Sequence, residues 1–112
     1  MVKWWSLDKQ HPHGVFIEHG ELHWYRTNGV LTRIIIDDLK QVSIFTYNDQ
    51  VYWHLIDQHQ NVAVIPEDTM GMPIIRQYLS SWRGFDYDSL LRYEPSSAQI
   101  QLWPIRLAKR QA

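Results

Sequence analysis

The sequence predicts an α+β fold: an antiparallel meander sheet or small barrel of about six to seven strands, with a C-terminal amphipathic helix. Three observations predict it. Apolar and polar residues alternate through the first two-thirds of the chain, turn signals interrupt the alternation, and the apolar period becomes helical after Pro66. The 112 residues suit one domain, which we place at residues 1–104, followed by a basic flexible tail at residues 105–112.

Residues 14–26 predict the first β hairpin, with His19 and Gly20 in its loop. Glycine accepts the positive φ that a tight hairpin loop requires. A two-residue loop also sets Glu18 beside Glu21, a contact between like charges that favours a longer loop. In the two-residue register the flanking strands pair as Val15 with Trp24, Ile17 with Leu22, and Phe16 with His23.

A second hairpin is predicted after the turn at 27–29, the β-branched strand at 30–36 and the break at 37–40. Asn48 and Asp49 form its two-residue loop, and the turn at 58–61 leads into a further strand at 62–65. Its apolar face pairs Val42 with Leu55, Ile44 with Trp53, and Thr46 with Val51. Its reverse face pairs Ser43 with His54 and Phe45 with Tyr52.

The helix is predicted over residues 70–82, with Pro73 in its first turn and its end before Gly84. An apolar row at spacing i, i+4 runs along it and needs a sheet to cover it: Met70, Ile74, Tyr78 and Trp82, with Ile75 and Leu79 beside them. A short helix capped at Asp86 or Asp88 is predicted within residues 85–93, and a last strand at 98–103 ends at Pro104.

Two resemblances follow from these residues. The order of short strands, the step Asp37-Asp-Leu-Lys-Gln-Val-Ser-Ile44 and a helix after the final strand resemble small bacterial pleckstrin-homology-like domains, which implies that fold. Residues 53–103 resemble a family of short, uncharacterised bacterial proteins, and this resemblance implies no activity. It is carried by Trp53-x-Leu55, Val64-Ile-Pro66, Gly71, Leu79, Gly84-Phe-Asp86 and Trp103.

The charge distribution argues against nucleic acid and membrane partners. The formal net charge is −1, but residues 1–95 hold eight Lys/Arg and twelve Asp/Glu, a balance of −4, whereas residues 96–112 have a balance of +3. Nucleic-acid and phosphoinositide binding both require a basic cluster, which this acidic body lacks. The chain has no Cys, no apolar run long enough to span a bilayer and no signal-peptide core, so we predict a cytoplasmic location.

Histidines and paired acids are the candidates for chemistry. His11, His13 and His23 are the metal-ligand candidates, but a site needs three or four converging ligands, so we favour structural or solvent-exposed histidines. The acidic pairs at 37–38 and 67–68 fit turns and helix caps better than acid–base catalysis. No nucleophile elbow or phosphate loop occurs. We therefore predict no catalytic residue and no cofactor.

The aromatic residues are the most informative excess, with six Trp, six Tyr and three Phe. Trp24, Trp53 and Trp82 fall on inward faces and are predicted core. The reverse face of the sheet is aromatic with polar edges, which suits either a second core or an interface. Its interface candidates are Phe16, Tyr25, Phe45, Tyr52 and His54.

The leading functional hypothesis is a non-enzymatic protein-binding or self-associating module, with a homodimer as its simplest form. Burial of the aromatic face, or strand addition along an open sheet edge, would be its mechanism. One alternative is an inhibitor of the immunity type, in which the acidic body docks on the basic active site of an intracellular toxin. Another alternative is a histidine-based metal-binding protein or enzyme.

Overall fold

The computed structural model describes residues 13–106, so His11 and the tail residues 107–112 lie outside the described residues. The fold is α+β, with two antiparallel sheets of three and four strands and two α helices. The small sheet has the order β1-β2-β3, with bounds β1 (Gly14–Glu18), β2 (Glu21–Tyr25) and β3 (Leu31–Ile35). The large sheet has the order β6-β5-β4-β7, with bounds β4 (Leu39–Tyr47), β5 (Gln50–Asp57), β6 (Val62–Pro66) and β7 (Ile100–Trp103). The helices are α1 (Met72–Ser80) and α2 (Tyr87–Arg92).

Both predicted hairpin registers are confirmed. β1 and β2 are joined by His19 and Gly20, with φ of 52° and 78°, and the facing pairs are those predicted, including Glu18 with Glu21. β4 and β5 are joined by Asn48 and Asp49, with φ of 51° and 65°, and all five predicted pairs occur. Two consecutive positive φ values match the right-handed twist of the strands, so each loop sets the register of its own hairpin.

The prediction of one continuous meander is wrong, because the strands are divided between two sheets. A 3₁₀ helix, Ile36–Asp38, interrupts the chain after β3, and β4 then pairs with β5 and β7 rather than with β3. The buried Ile36 side chain anchors this turn in the core. The acidic segment at 37–40, which the sequence predicts as a break, therefore separates two sheets.

One hydrophobic core lies between the inner faces of the two sheets and the inner sides of the helices. Trp53 is its largest fully buried side chain, and Trp24 is also buried, while Trp82 is half-buried and packs against the core. The predicted core role of these three tryptophans is thus confirmed. The other buried apolar residues are Val15, Leu22, Ile34, Ile36, Leu39, Val42, Ile44, Leu55, Ala63, Ile65, Met72, Ile75, Leu79, Leu90 and Leu102.

The helix over the predicted segment is confirmed, but only part of its predicted core-facing stripe packs inward. Met70, just before α1, is 75% exposed, and Ile74 and Tyr78 on the outer side of the helix are 67% and 42% exposed. The core is filled by Ile75 and Leu79, which were predicted beside that row, and by Met72. Both rows have helical spacing, so the pattern alone predicts the helix without deciding which row packs inward.

Two glycines set the orientation of α1. Val15 donates its backbone N–H to the Met70 carbonyl at 2.9 Å, so the start of β1 lies against the start of the helix. A Cβ at Gly71 would lie 2.1 Å from the Val15 carbonyl oxygen, and a Cβ at Gly14 would lie 2.8 Å from the Met70 carbonyl oxygen. Only glycine permits so close an approach, since Gly71 also has a φ of +91°.

The C-terminal elements complete the large sheet. Asp86 caps α2 by accepting the Ser89 backbone N–H at 3.1 Å, which is one of the two predicted caps. The last strand is confirmed as β7, and Trp103 packs edge-on against Trp82 with ring centroids 4.9 Å apart. Both helices lie between β6 and β7, whereas the pleckstrin-homology-like resemblance places its helix after the final strand.

The loop between β5 and β6 is built around the buried carboxylate of Asp57. Its Oδ1 accepts the backbone N–H groups of His59 and Asn61 at 2.8 Å, and its Oδ2 accepts the Asn61 side chain at 2.9 Å. Burial raises the pKa of Asp57, but these hydrogen bonds and the nearby His59 outweigh burial and hold the pKa below its ordinary value. The Gln58 backbone N–H also bonds the Asp38 carbonyl, so the loop is fastened to the 3₁₀ helix.

Candidate binding surface

The edges of the two sheets differ in how they are protected. The β1 edge is covered where Val15 bonds to Met70. The β7 edge is covered by the segment that enters α2, because Asp86 donates its N–H to the Leu102 carbonyl at 2.7 Å. Paired or covered edges do not recruit further strands. Each of these two edges is therefore interrupted by the chain itself, so neither offers a continuous row of outward backbone groups.

The β6 edge is open but blunted. Asp57 donates its N–H to Asn61 and Glu67 donates its N–H to Val51, which fixes the alternation of the β5–β6 ladder. In this hydrogen-bonding pattern, the backbone groups that point away from β5 are those of Val62, Val64 and Pro66. Pro66 has no N–H, so only two outward donors are left at this edge.

The β3 edge is the one that neither chain nor proline protects among residues 13–106. Arg26 donates its N–H to the Val30 carbonyl and Ile36 donates its N–H to the Gly20 carbonyl. Alternation between these bonds turns the backbone N–H and C=O groups of the intervening residues away from β2. Those residues are Leu31, Arg33 and Ile35. The Ile35 carbonyl is the first acceptor of the 3₁₀ helix, so three outward donors and two outward acceptors remain, and such a row is a template for an added strand.

Apolar side chains flank this open edge on the outer face of the small sheet. Leu31 and Ile35 are 37% and 51% exposed, and Phe16, two strands away, is 36% exposed. The Phe16 ring lies 5.0 Å from the His23 ring and 6.2 Å from the Tyr25 ring, measured between centroids. The outer face is thus an apolar surface with an aromatic centre, which continues from the open edge across the sheet.

The same face also carries charged side chains. Nε2 of His23 donates to Oε1 of Glu21 at 3.0 Å, whereas Nε of Arg33 lies 3.9 Å from that oxygen, beyond hydrogen-bond distance. The Arg33 side chain is 59% exposed and forms this long ion pair with Glu21, but it makes no hydrogen bond to another side chain within the described part of the chain. Its guanidinium fork is available to a carboxylate from outside.

The predicted interface residues are divided between two sheets, so the prediction of a single aromatic face is wrong. Phe16 and Tyr25 lie on the small sheet, and Phe45, Tyr52 and His54 lie on the outer face of the large sheet. Phe45 stacks on Tyr52 at 5.3 Å and meets the His54 ring edge-on at 6.2 Å. All three large-sheet side chains are half-buried, as is Tyr25 on the small sheet, whereas Phe16 is exposed.

The metal-ligand candidates are not brought together where the structure describes them. His13 is exposed at the start of the described chain, His23 is paired with Glu21, and His11 lies outside the described residues. Between residues 13 and 106 no group of three or more His, Asp or Glu side chains is placed to hold a metal ion.

Sequence reasoning named strand addition as a mechanism but did not identify the edge. The available signal was Arg33, a cation in the middle of a strand that is otherwise uncharged, because charged residues within strands are typical of sheet edges. The exposed row on α1 was also missed, since it was assigned to the core. Finding either feature requires the arrangement of the sheets.

Comparisons with known proteins give no match: no protein-family model, no curated protein and no solved structure is similar to this chain. Neither helix in the described range is long and apolar enough to cross a membrane.

Proposed function

We propose that this protein is a protein-binding module that receives an extended segment of its partner as a fourth strand on β3. The single observation that carries this proposal is the unprotected β3 edge, with the outward backbone groups of Leu31, Arg33 and Ile35. The chain covers the β1 and β7 edges and ends the β6 edge in Pro66. Strand addition obtains affinity from main-chain hydrogen bonds and specificity from alternate side chains.

The side chains along β3 supply the second part of such a mechanism. A strand added to β3 would bring every second side chain over Leu31, Arg33 and Ile35 on the outer face. Leu31 and Ile35 would then lose exposed apolar surface, and Phe16 would lie within the same face. Aromatic and aliphatic side chains with a charged rim are typical of protein-binding surfaces.

Substitution of Ile35 by proline tests the proposal directly. Ile35 has a φ of −75°, which proline adopts without strain, and its N–H points away from β2. Ile35→Pro should therefore remove an outward donor and block strand addition while retaining the β2–β3 ladder. Ile35→Val is the matched control, because it keeps the donor and a similar apolar side chain.

The measurement is capture of partners by the full chain on a support, with wild-type, Ile35→Pro and Ile35→Val proteins compared by quantitative mass spectrometry. We expect a partner that is enriched at least about tenfold by wild type and Ile35→Val and is lost with Ile35→Pro. Unfolding curves of the three proteins verify that each is folded. A partner set that is the same for all three overturns the proposal.

The finer fold assignment is also a proposal. We propose a pleckstrin-homology-like relationship, with the sheets curved towards a barrel, and two antiparallel sheets around one core support it. The position of both helices before β7 departs from the resemblance. An experimental structure superposed on such domains tests the assignment, and strand connections that differ between them overturn it.

A further inference from the structure

The charge at the centre of the β3 edge bears on which chain can occupy it. If two copies of this protein pair antiparallel through β3 and use all three outward positions, Leu31 faces Ile35 and Arg33 faces Arg33 of the second copy. Like charges directly opposite each other destabilise a strand pair, whereas opposite charges stabilise it. Self-pairing in the longest register is therefore disfavoured by Arg33, in the way that natural edge strands avoid one another.

We infer that the occupant of the β3 edge is an extended segment of a different protein, with a carboxylate opposite Arg33 and apolar side chains two residues to either side. The inference rests on the proposed function and names the partner chemistry for the same edge. Leu31 and Ile35 meet the two apolar side chains, and Arg33 meets the carboxylate.

Distances across a sheet support this pattern. Directly opposed Cβ atoms lie about 4.5–5.5 Å apart, within reach of an arginine–carboxylate pair. The Arg33 guanidinium is exposed, and the nearest carboxylate, Glu21, is already bonded to His23. Arginine can bind a carboxylate through two parallel N–H donors, which fixes the register of the incoming strand.

The charges near Ile35 disfavour a second acidic residue of the partner at that end of the edge. Glu21 lies opposite Ile35 on β2, and Glu18 lies opposite Glu21 on β1. A second carboxylate beside Ile35 would therefore meet like charge. The pattern that fits the edge is thus apolar, acidic, apolar on alternate residues.

A synthetic peptide provides the probe. The peptide has seven residues with blocked ends. The three positions whose side chains would lie beside Leu31, Arg33 and Ile35 carry valine, glutamate and valine, with threonine between them. The pattern is the same in both directions, so it suits parallel and antiparallel addition. The control peptide has lysine in place of glutamate. Binding is measured by amide chemical-shift titration of the isotope-labelled full chain.

We expect the glutamate peptide to shift the amide signals of β3 and to bind at least about fivefold more tightly than the lysine peptide. Arg33→Glu should reverse this preference, so that the lysine peptide binds more tightly. Ile35→Pro should weaken both peptides, whereas Ile35→Val should weaken neither. Reversal by charge exchange is an effect that a merely structural role of Arg33 would not produce.

Three results overturn the inference. One is that the glutamate and lysine peptides bind β3 equally tightly. If Ile35→Pro weakens the binding of both peptides in that case, the edge binds strands without selecting charge, and the proposed function stands. A second is that neither peptide, at millimolar concentration, shifts the amide signals of β3. The proposed function is then tested separately, by comparing the partners captured by wild-type and Ile35→Pro proteins. The last is a protein dimer that Ile35→Pro converts to monomer, because the occupant is then a second copy.

Discussion

The two sheets are built by the same local rules but differ in what they leave exposed. Each contains a hairpin with a two-residue loop at positive φ, and each buries the apolar side chains of its inner face in the common core. On the outer face of the large sheet Phe45, Tyr52 and His54 are half-buried and Ser43 is fully buried, while Tyr47 at the end of β4 is exposed. The small sheet exposes apolar side chains beside an open edge. The large sheet thus contributes mainly to the stability of the fold, whereas the small sheet also presents exposed apolar surface beside an open edge.

The largest expected effect follows from emptying the centre of the large sheet. Trp53 is fully buried, and its ring N–H donates to Glu67, which also accepts from Arg76 at 2.9 Å. Trp53→Ala should lower the free energy of unfolding by about 3–5 kcal/mol. Urea denaturation at neutral pH measures the change.

Phe16→Ala is the matched change on the small sheet, because it also removes an aromatic side chain from a strand. Phe16 is partly exposed, so we expect a loss of less than about 1 kcal/mol. A loss as large as that of Trp53→Ala would show that the outer face of the small sheet is core, and the contrast between the sheets would be wrong.

The next effect concerns the junction that holds the small sheet to α1. Gly71→Ala should lower the free energy of unfolding by about 3 kcal/mol, because the new Cβ meets the Val15 carbonyl in addition to the cost of positive φ. Gly29→Ala is the control, since Gly29 has a φ of +87° but no atom within 4 Å of a Cβ. Chemical denaturation compares the two variants, and equal losses would mean that backbone conformation alone accounts for the effect.

The smallest effect is expected at the loop of the large sheet and depends on pH. Because the pKa of Asp57 is lowered in the folded protein, its contribution to stability is complete above the ordinary carboxyl pKa and is lost as the pH falls through the lowered value. Asp57→Asn should therefore destabilise the protein at pH 7, and the difference from wild type should shrink in acid.

Thermal unfolding across a pH series measures this difference. Asp68→Asn, at an exposed carboxylate beyond β6, serves as the control and should change the free energy of unfolding by no more than about 0.5 kcal/mol at pH 7. A deficit of Asp57→Asn that stays constant from neutral to acid pH would contradict the role assigned to the ionised carboxylate.

Local structure was predictable from the sequence where neighbouring residues determine it. The loop at Asn48 and Asp49 sets the β4–β5 register by its own backbone conformation, and Asp86 caps α2 through a bond three residues away. Pro73 in the first turn of α1 is likewise a local signal. Such features depend on contacts over a few residues, which a sequence pattern contains.

Long-range arrangement was not predictable in the same way. The row of Met70, Ile74 and Tyr78 and the row of Met72, Ile75 and Leu79 have equivalent spacing, and the contact between Gly71 and β1 decides which one faces the core. The division into two sheets depends on β4 pairing with β7, which is distant in sequence. The open edge, and with it the candidate binding surface, follows from that division.

The contact between Gly14 and the start of α1 has a consequence for folding during synthesis. The two glycines are separated by about half of the chain, so closing this contact is a slow, non-local step compared with forming either hairpin. The small sheet leaves the ribosome first, yet it can dock only after residue 71 has emerged. Until then its inner apolar face and its β3 edge are both exposed in the nascent chain, which makes this interval the one in which aggregation competes with folding.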